Sequence, residues 1–115
     1  MKSQKFEVKF LEEAVEFLDL LDEKVRDKII YNITKAQFST NKELLKKLNE
    51  EIWEFRTLYQ STAYRLFAFW DKSEKDRALV IITHGLIKKT EKTPKADLVK
   101  SQRLRKSYFE SKTTS

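Results

Sequence analysis

The chain has 115 residues, of which 37% are charged and 40% hydrophobic, with one glycine, one proline, one histidine and no cysteine. This length predicts a single domain over residues 1–115 with one core. The composition excludes disulfides, thiolate metal sites and glycine-rich phosphate loops. No apolar run approaches the ~20 residues of a membrane span, and the start MKSQKFEVKF lacks the apolar stretch of a signal peptide. We therefore expect a cytoplasmic protein without membrane contact, metal or other cofactor.

The net charge of +6 is concentrated towards one end of the sequence. Residues 1–85 hold fifteen basic and fifteen acidic side chains, whereas residues 86–115 hold nine basic and three acidic ones. Such asymmetry predicts a polyanionic partner, although a merely solvated basic tail explains the same count.

The first predicted elements are one strand and two helices. Residues 5–10 (KFEVKF) alternate apolar and polar side chains, which predicts a short strand. From Leu11 to about Phe38, apolar residues recur at helical spacing. The polar stretch DLLDEK at 19–24 interrupts this pattern, and Asp22 is a candidate cap for a second helix, so we expect a helical hairpin.

Three strands and a last helix are predicted after a loop over residues 39–50, which holds at most one helical turn. The strand segments are EIWEFRTL at 51–58, AYRLFAFWD at 63–71 and ALVIIT at 78–83. The last of these is continuously apolar, as expected of a central strand covered on both faces. Short links predict antiparallel hairpins. A loosely helical spacing of apolar residues predicts the final helix over 96–109.

Together these elements predict an α+β fold. We expect an antiparallel sheet of about four strands, with the N-terminal helical hairpin on one face and a C-terminal helix. The other face should be less well covered, leaving a shallow surface on which Glu54, Arg56 and Arg65 are exposed.

Two arginines stand out because their strands are otherwise rich in aromatic residues. An arginine inside a sheet snorkels, pairs with an acid or serves a ligand. Pairing of Arg56 with Glu54 or Glu7 explains the pattern as well as a phosphate clamp does. As a clamp, the planar guanidiniums of Arg56 and Arg65 would offer matched donors to phosphate oxygens.

The only histidine and only glycine are followed by a lysine-rich segment. We expect His84 to end the central strand, with Gly85 beside it allowing an unusual backbone conformation. A lone histidine is more often structural than catalytic, yet an unperturbed pKa of about 6.5 suits proton transfer. Lys88, Lys89 and Lys92 follow. Taken separately each is explained as a solvated side chain, whereas together with the two arginines they suit an RNA phosphate.

Three motifs resemble the RelE/HigB superfamily of type II toxins, in particular its phage-derived HigB-like branch. They are WEFR at 53–56, YRLF at 64–67 and HGLIKKTEKTP at 84–94, and the resemblance covers about residues 5–108. It implies a compact α+β toxin that cleaves messenger RNA on the ribosome without a metal. It also implies a cognate antitoxin, often a helix-turn-helix protein.

The resemblance assigns roles to the basic residues. Arg56 and Arg65 fall where the family has basic strand residues near the scissile phosphate. Lys88, Lys89 and Lys92 fall in the basic segment after the last strand. The chain departs from the pattern at Glu54, where several members have lysines. It also has no clear counterpart of a catalytic tyrosine, since Tyr108 lies far along the last helix.

Metal-free cleavage that uses the 2′-hydroxyl of RNA needs a base, an acid and a stabiliser of the charged transition state. The two permanently charged arginines suit the stabilising role. The proton transfers stay open between Glu54, His84 and a lysine with a lowered pKa, for which Lys92 is a candidate.

The last predicted helix carries further basic residues, Lys100, Arg103, Arg105 and Lys106. We expect them to bind either RNA or an acidic segment of the antitoxin. Two other functions stay open. One is a ParE-like protein that inhibits DNA gyrase by binding, and the other is a catalytically inert RNA-binding phage remnant.

Overall fold

The computed structural model describes residues 3–89 and 92–113. Thr90 and Glu91, in the middle of the motif at 84–94, lie outside the described residues. Within the described part, no helix combines the length and apolarity needed to cross a membrane. The elements in chain order are β1 (Glu7–Phe10), α1 (Glu12–Asp19), α2 (Glu23–Phe38), β2 (Leu45–Lys47), β3 (Trp53–Tyr59), β4 (Thr62–Asp71), β5 (Leu79–Lys88) and α3 (Lys95–Thr113).

The sheet has five strands in the order β1-β5-β4-β3-β2. The coarse prediction of an α+β fold with an N-terminal helical hairpin and a C-terminal helix is confirmed. Two details were wrong. β1 joins β5 in parallel, which local alternation cannot reveal because it carries no information about strand direction. Leu45–Lys47, predicted as loop, forms a short antiparallel strand held by its pairing with β3.

The helical hairpin covers one face of the sheet. Its break falls in DLLDEK as predicted, and Asp22 occupies the N-cap position of α2, although its side chain makes no capping hydrogen bond. Apolar side chains at helical spacing, among them Leu18 and Ile29, are buried against Phe55 and Leu66 of the sheet. Each such side chain contributes about 1.5–3 kcal/mol of transfer free energy, so this row of apolar side chains holds the helical hairpin on the sheet.

The C-terminal helix α3 covers part of the opposite face. Tyr108 and Phe109 pack their rings against Phe69 at centroid distances of 5.3 and 5.6 Å. Leu98 packs on the same cluster, which includes the fully buried Phe67. The molecule is therefore three-layered, with the sheet between the hairpin and α3.

This arrangement corrects the expectation that Glu54, Arg56 and Arg65 are exposed together. Glu54 is 2% exposed and Arg65 is 8% exposed, while the side chain of Arg56 is 34% exposed. The three lie low on the sheet surface, where the flanking strands and their own long side chains exclude solvent.

The central strand β5 runs further than predicted. It continues through His84 and Gly85 to Lys88, so His84 lies inside the strand and does not end it. A bulge lies at this point, because Phe67 pairs with His84 whereas Ala68 pairs with Ile82. The inserted residue is Thr83, and both Thr83 and His84 consequently direct polar groups towards α3.

Gly85 serves a different purpose from the one expected. Its backbone is not in the left-handed region, so it provides no unusual conformation. A Cβ atom at this position would instead fall 2.6 and 2.7 Å from Cε2 and Cγ of Phe17. Glycine is needed here because the ring of Phe17 in α1 packs directly on the β5 backbone.

Candidate active site

A tight hairpin turn places the two arginines side by side. β3 and β4 are joined at Gln60 and Ser61, whose φ angles of 48° and 65° fit a two-residue turn of the kind that matches strand twist. This turn fixes the register, and Arg56 is the direct cross-strand partner of Arg65. Directly opposite residues on antiparallel strands point to the same face, so the two guanidiniums are neighbours.

Three more charged residues join the pair on the same face. Glu54 lies two positions before Arg56, and Lys46 of β2 is the partner of Glu54. On β5, Lys88 stands opposite Ala63, which is two positions before Arg65. We call Lys46, Glu54, Arg56, Arg65 and Lys88 the cationic cluster. It lies on the face that α3 partly covers, where Glu54 is the cross-strand partner of Phe67 at the border of the α3 contacts.

Glu54 is the centre of the cluster. Its Oε1 lies 3.5 Å from Nε of Arg65 and 3.7 Å from Nε of Arg56. These are ion pairs at distances too long for good hydrogen bonds. Both Oε2 of Glu54 and Nε of Arg65 are buried without a hydrogen-bond partner among the described residues. The ion pair between Arg56 and Glu54 that the sequence analysis considered is therefore present, but the same carboxylate also faces Arg65.

The electrostatics of the cluster favour an anion. Burial lowers the pKa of Arg65, and the neighbouring Arg56 lowers it further, whereas Glu54 opposes both. Burial also lowers the pKa of Lys88, with Arg65 and Arg56 contributing and Glu54 again opposing. Four basic side chains around one acidic side chain leave the cluster with an excess of positive charge, which an arriving anion would relieve.

A small cavity lies beside the arginines. It has a volume of about 280 Å³ and is lined by Arg56 and Arg65 together with Glu43, Leu58 and Ala63. Because it is open to solvent on a face bearing two guanidiniums, it gives a phosphate group a place to sit next to both forks.

A larger groove of about 790 Å³ lies elsewhere, between β1 and α3. Most of its charged side chains are paired, as Arg77 donates to Glu7 at 2.5 Å and Lys112 to Asp71 at 2.8 Å. Size alone therefore does not make this groove the site, since the smaller cavity holds the incompletely paired charges.

His84 belongs to a different network, beneath α3. It is 3% exposed, stacks on Phe67, and its Nε2 lies 3.0 Å from Oδ1 of Asp97. Its Nδ1 lies 2.9 Å from the hydroxyl of Thr83, which is 3.0 Å from the hydroxyl of Ser101. Burial lowers the pKa of His84 and favours the neutral imidazole, whose two ring nitrogens lie within hydrogen-bonding distance of Asp97 and Thr83.

This network has the residue types of a hydrolytic triad, but Thr83 and Ser101 have no exposed surface. No substrate reaches either hydroxyl, so the network joins β5 to α3. The same burial keeps His84 away from an RNA hydroxyl, which is a position the sequence pattern could not reveal.

A second buried network fixes the other end of α3. Asp71 is 1% exposed and accepts hydrogen bonds from Tyr108 at 2.6 Å and Lys112 at 2.8 Å. Burial and the Asp71 carboxylate raise the pKa of Tyr108 to about 12. Tyr108 is therefore engaged in holding α3 to β4 and is remote from the cationic cluster along the chain.

The remaining predicted residues are spread over the surface. Lys89 and Lys92 are exposed beyond the cluster, and Arg103 is exposed on the outer side of α3. Lys100 pairs with Glu13 of α1 at 2.5 Å. The structure thus brings Lys88 to the arginines and places Lys100 and Arg103 elsewhere.

The sequence analysis missed Lys46. Nothing in LKK indicated a strand, and only the pairing of β2 with β3 places this lysine opposite Glu54.

Comparison with known proteins identifies a family. A family model described as "Phage derived protein Gp49-like (DUF891)" matches residues 16–106, which include the whole cationic cluster. No curated protein matches the chain.

Proposed function

The chain belongs to the Gp49-like family of phage-derived proteins, and from this premise we propose that it is the toxin of a type II toxin–antitoxin module. We further propose that it is a RelE/HigB-like endoribonuclease that cleaves messenger RNA on the ribosome, in the cytoplasm. Family membership is compatible with the toxin role. The observation that carries the specific activity is the pairing of Arg56 with Arg65 on one face.

The chemistry follows from that pair. Attack of a ribose 2′-hydroxyl on the adjacent phosphorus builds negative charge on the phosphate oxygens and releases a 5′-hydroxyl. Two guanidiniums offer that charge fixed donors that stay protonated at any relevant pH. In the described part of the chain, no three His, Asp or Glu side chains are grouped to hold a metal ion. Charge stabilisation is accordingly assigned to the arginines.

Lys88 is the proposed proton-transfer group. Its pKa is lowered by burial and by the neighbouring cations, which brings an ammonium closer to the range where it exchanges protons efficiently. It also stands on β5 next to Arg65. Lys89 follows it directly in the sequence, and Lys92 comes three residues later. Those two lysines are proposed to bind the RNA backbone.

The test is mapping of new RNA 5′ ends after the protein is induced in bacteria. We expect cuts within translated codons, together with growth arrest. Arg56→Ala and Arg65→Ala should remove both effects, while Arg77→Ala, at the opposite end of β5, removes the same charge and should leave them. DNA damage signalling without new RNA ends would instead assign gyrase inhibition. A folded protein with neither effect would assign an inert RNA-binding remnant.

The proposed partners are the ribosome with its messenger RNA and an antitoxin encoded beside the toxin. Co-expression with the neighbouring gene product should suppress growth arrest and yield a complex that co-purifies. Arrest that persists in the presence of every neighbouring product would count against the module.

A further inference from the structure

Glu54 is unusual because a buried acid lies at the base of a site proposed to bind an anion. It is 2% exposed, and its position beneath the RNA would repel a phosphate. Taking a carboxylate out of water costs several kcal/mol unless close hydrogen bonds replace the lost solvation. An account of the site must therefore say what this carboxylate does there.

Stabilisation of the fold is a poor explanation. An ion pair that stabilises the interior has short, often bidentate contacts between the carboxylate and one arginine. Glu54 uses a single oxygen for two arginines at 3.5 and 3.7 Å and leaves Oε2 buried without a partner. The carboxylate thus lies between the two guanidiniums, at nearly the same distance from each.

The function of a base is also a poor explanation. Oε2 is buried, and Oε1 faces the Nε atoms of Arg56 and Arg65. Neither oxygen is presented to a ribose hydroxyl unless an arginine moves aside.

The contacts instead keep two like charges together. Arg56 and Arg65 are directly opposite, an arrangement in which like charges destabilise a sheet. The carboxylate of Glu54 offsets their repulsion, and its Oε1 faces the Nε atom of each arginine. The terminal nitrogens of Arg56 make no hydrogen bond to the described residues, and those of Arg65 make a single long one, from Nη1 to the carbonyl of Tyr64 at 3.3 Å. The outer ends of both forks are thereby left for a ligand.

We propose that Glu54 is a positioning residue that holds the Arg56 and Arg65 guanidiniums in the paired geometry required by the transition state, at the expense of ground-state affinity for RNA. This inference rests on the proposed function, since it concerns the same site. It makes an unusual prediction: removal of the negative charge should not weaken RNA binding, yet it should slow cleavage.

The experiment compares Glu54→Gln with the wild-type protein on ribosome-bound messenger RNA. The glutamine has the same shape and lacks the charge. We expect the dissociation constant for a non-cleavable 2′-deoxy substrate to stay equal or fall, while the cleavage rate at saturation drops by about 100-fold, as misplaced catalytic groups typically cause. Glu54→Asp keeps the charge but shortens the side chain, and it should restore part of the rate. Glu50→Gln, which removes an exposed acid nearby, should change neither quantity.

Wild-type cleavage with an unchanged saturated rate in Glu54→Gln overturns the inference and leaves the proposed function standing. Parallel loss of RNA affinity and rate in both Glu54 variants also overturns it, because that is the result of a merely structural role. If Glu54→Gln does not fold, the split between rate and affinity in Glu54→Asp decides.

A readout that needs no activity separates the inference from the proposed function. In ¹⁵N spectra, the Nε–H signals of Arg56 and Arg65 should be sharp and distinct in the wild-type protein. They should merge with those of mobile arginines in Glu54→Gln. Unchanged signals contradict positioning whether or not the wild-type protein cleaves RNA. A wild-type protein that cleaves nothing defeats the proposed function alone.

Discussion

Buried polar groups are hydrogen-bonded differently in two halves of the same sheet face. Under α3, His84 and Asp71 are almost fully buried, yet each is met by close partners at 2.6–3.0 Å. In the cationic cluster, Glu54 and Arg65 are buried to a similar degree but lie 3.5 Å apart with unpaired atoms.

Under the proposed function, the difference separates polar groups that hold the fold from those that bind a ligand. Buried polar atoms in native proteins are nearly always hydrogen-bonded, so exceptions call for an explanation. Under α3 nothing is left to explain, because each network closes on itself. In the cluster, Oε2 of Glu54 and Nε of Arg65 stay without a hydrogen-bond partner among the described residues, and the proposed function assigns the outer ends of the two guanidiniums to the phosphate.

The largest expected effect comes from Arg65→Lys, which keeps the charge but loses the planar fork. We expect the cleavage rate to fall by about 100- to 1,000-fold, the usual cost of one missing donor to a developing charge. Thermal unfolding should change little, because a cation remains beside Glu54. Single-turnover assays on ribosome-bound message measure this. A lysine variant with the full cleavage rate would show that the planar fork has no role. The difference between the cationic cluster and the networks under α3 would then have no functional meaning.

The next effect is on stability and belongs to the covered half. Tyr108→Phe removes the hydroxyl that donates to buried Asp71 at 2.6 Å. A hydrogen bond to a charged group is worth about 1.5–3 kcal/mol, so the free energy of unfolding in urea should fall by that amount. The cleavage rate should be unchanged. Loss of cleavage in a variant that remains folded would give Tyr108 a catalytic role and break the division.

A smaller effect concerns pH. Burial lowers the pKa of His84 in the folded protein, whereas the unfolded chain has the ordinary value of about 6.5. Below this pH the unfolded state binds a proton that the folded state does not. The His84 contribution to stability is therefore complete above pH ~6.5 and is lost as the pH falls through the folded pKa. Urea unfolding at several pH values should show a shallower acid loss in His84→Gln than in wild type. Identical curves would contradict the buried neutral imidazole.

The smallest effect should come from the outer side of α3. Lys95, Arg103 and Lys106 are exposed at spacings that share one helix face, and each is proposed to meet RNA phosphates only loosely. Their joint replacement by glutamine should reduce the slope of log affinity against log salt by about 2, with the saturated cleavage rate unchanged. The control is the same replacement at three exposed lysines outside α3, namely Lys24, Lys35 and Lys75. Equal slopes in both triple variants would remove α3 from RNA binding.

The sequence was sufficient for the local parts of the site. Aromatic alternation identified the strands that carry Arg56 and Arg65, and the short link between them implied a hairpin. A hairpin register follows from its turn, so the pairing of the two arginines was within reach.

The remaining features depended on contacts between distant segments. Lys46 joins the cluster only because β2 pairs with β3, and a three-residue strand has too few side chains to show a pattern. The burial of His84 depends on a bulge in β5 and on α3 lying above it. Neither feature leaves a periodic trace in the sequence around His84, so the pattern left its structural and catalytic interpretations both open.

The parallel pairing of β1 with β5 also affects the order in which the fold can form during synthesis. Glu7 must wait for Leu79 to be translated before the first strand has a neighbour. Contacts between residues so far apart in the chain form late and slow the search for the native state. The hairpin that carries both arginines can close earlier, but Lys88 arrives with β5 itself. The cationic cluster of a nascent chain is therefore incomplete until β5 has emerged from the ribosome.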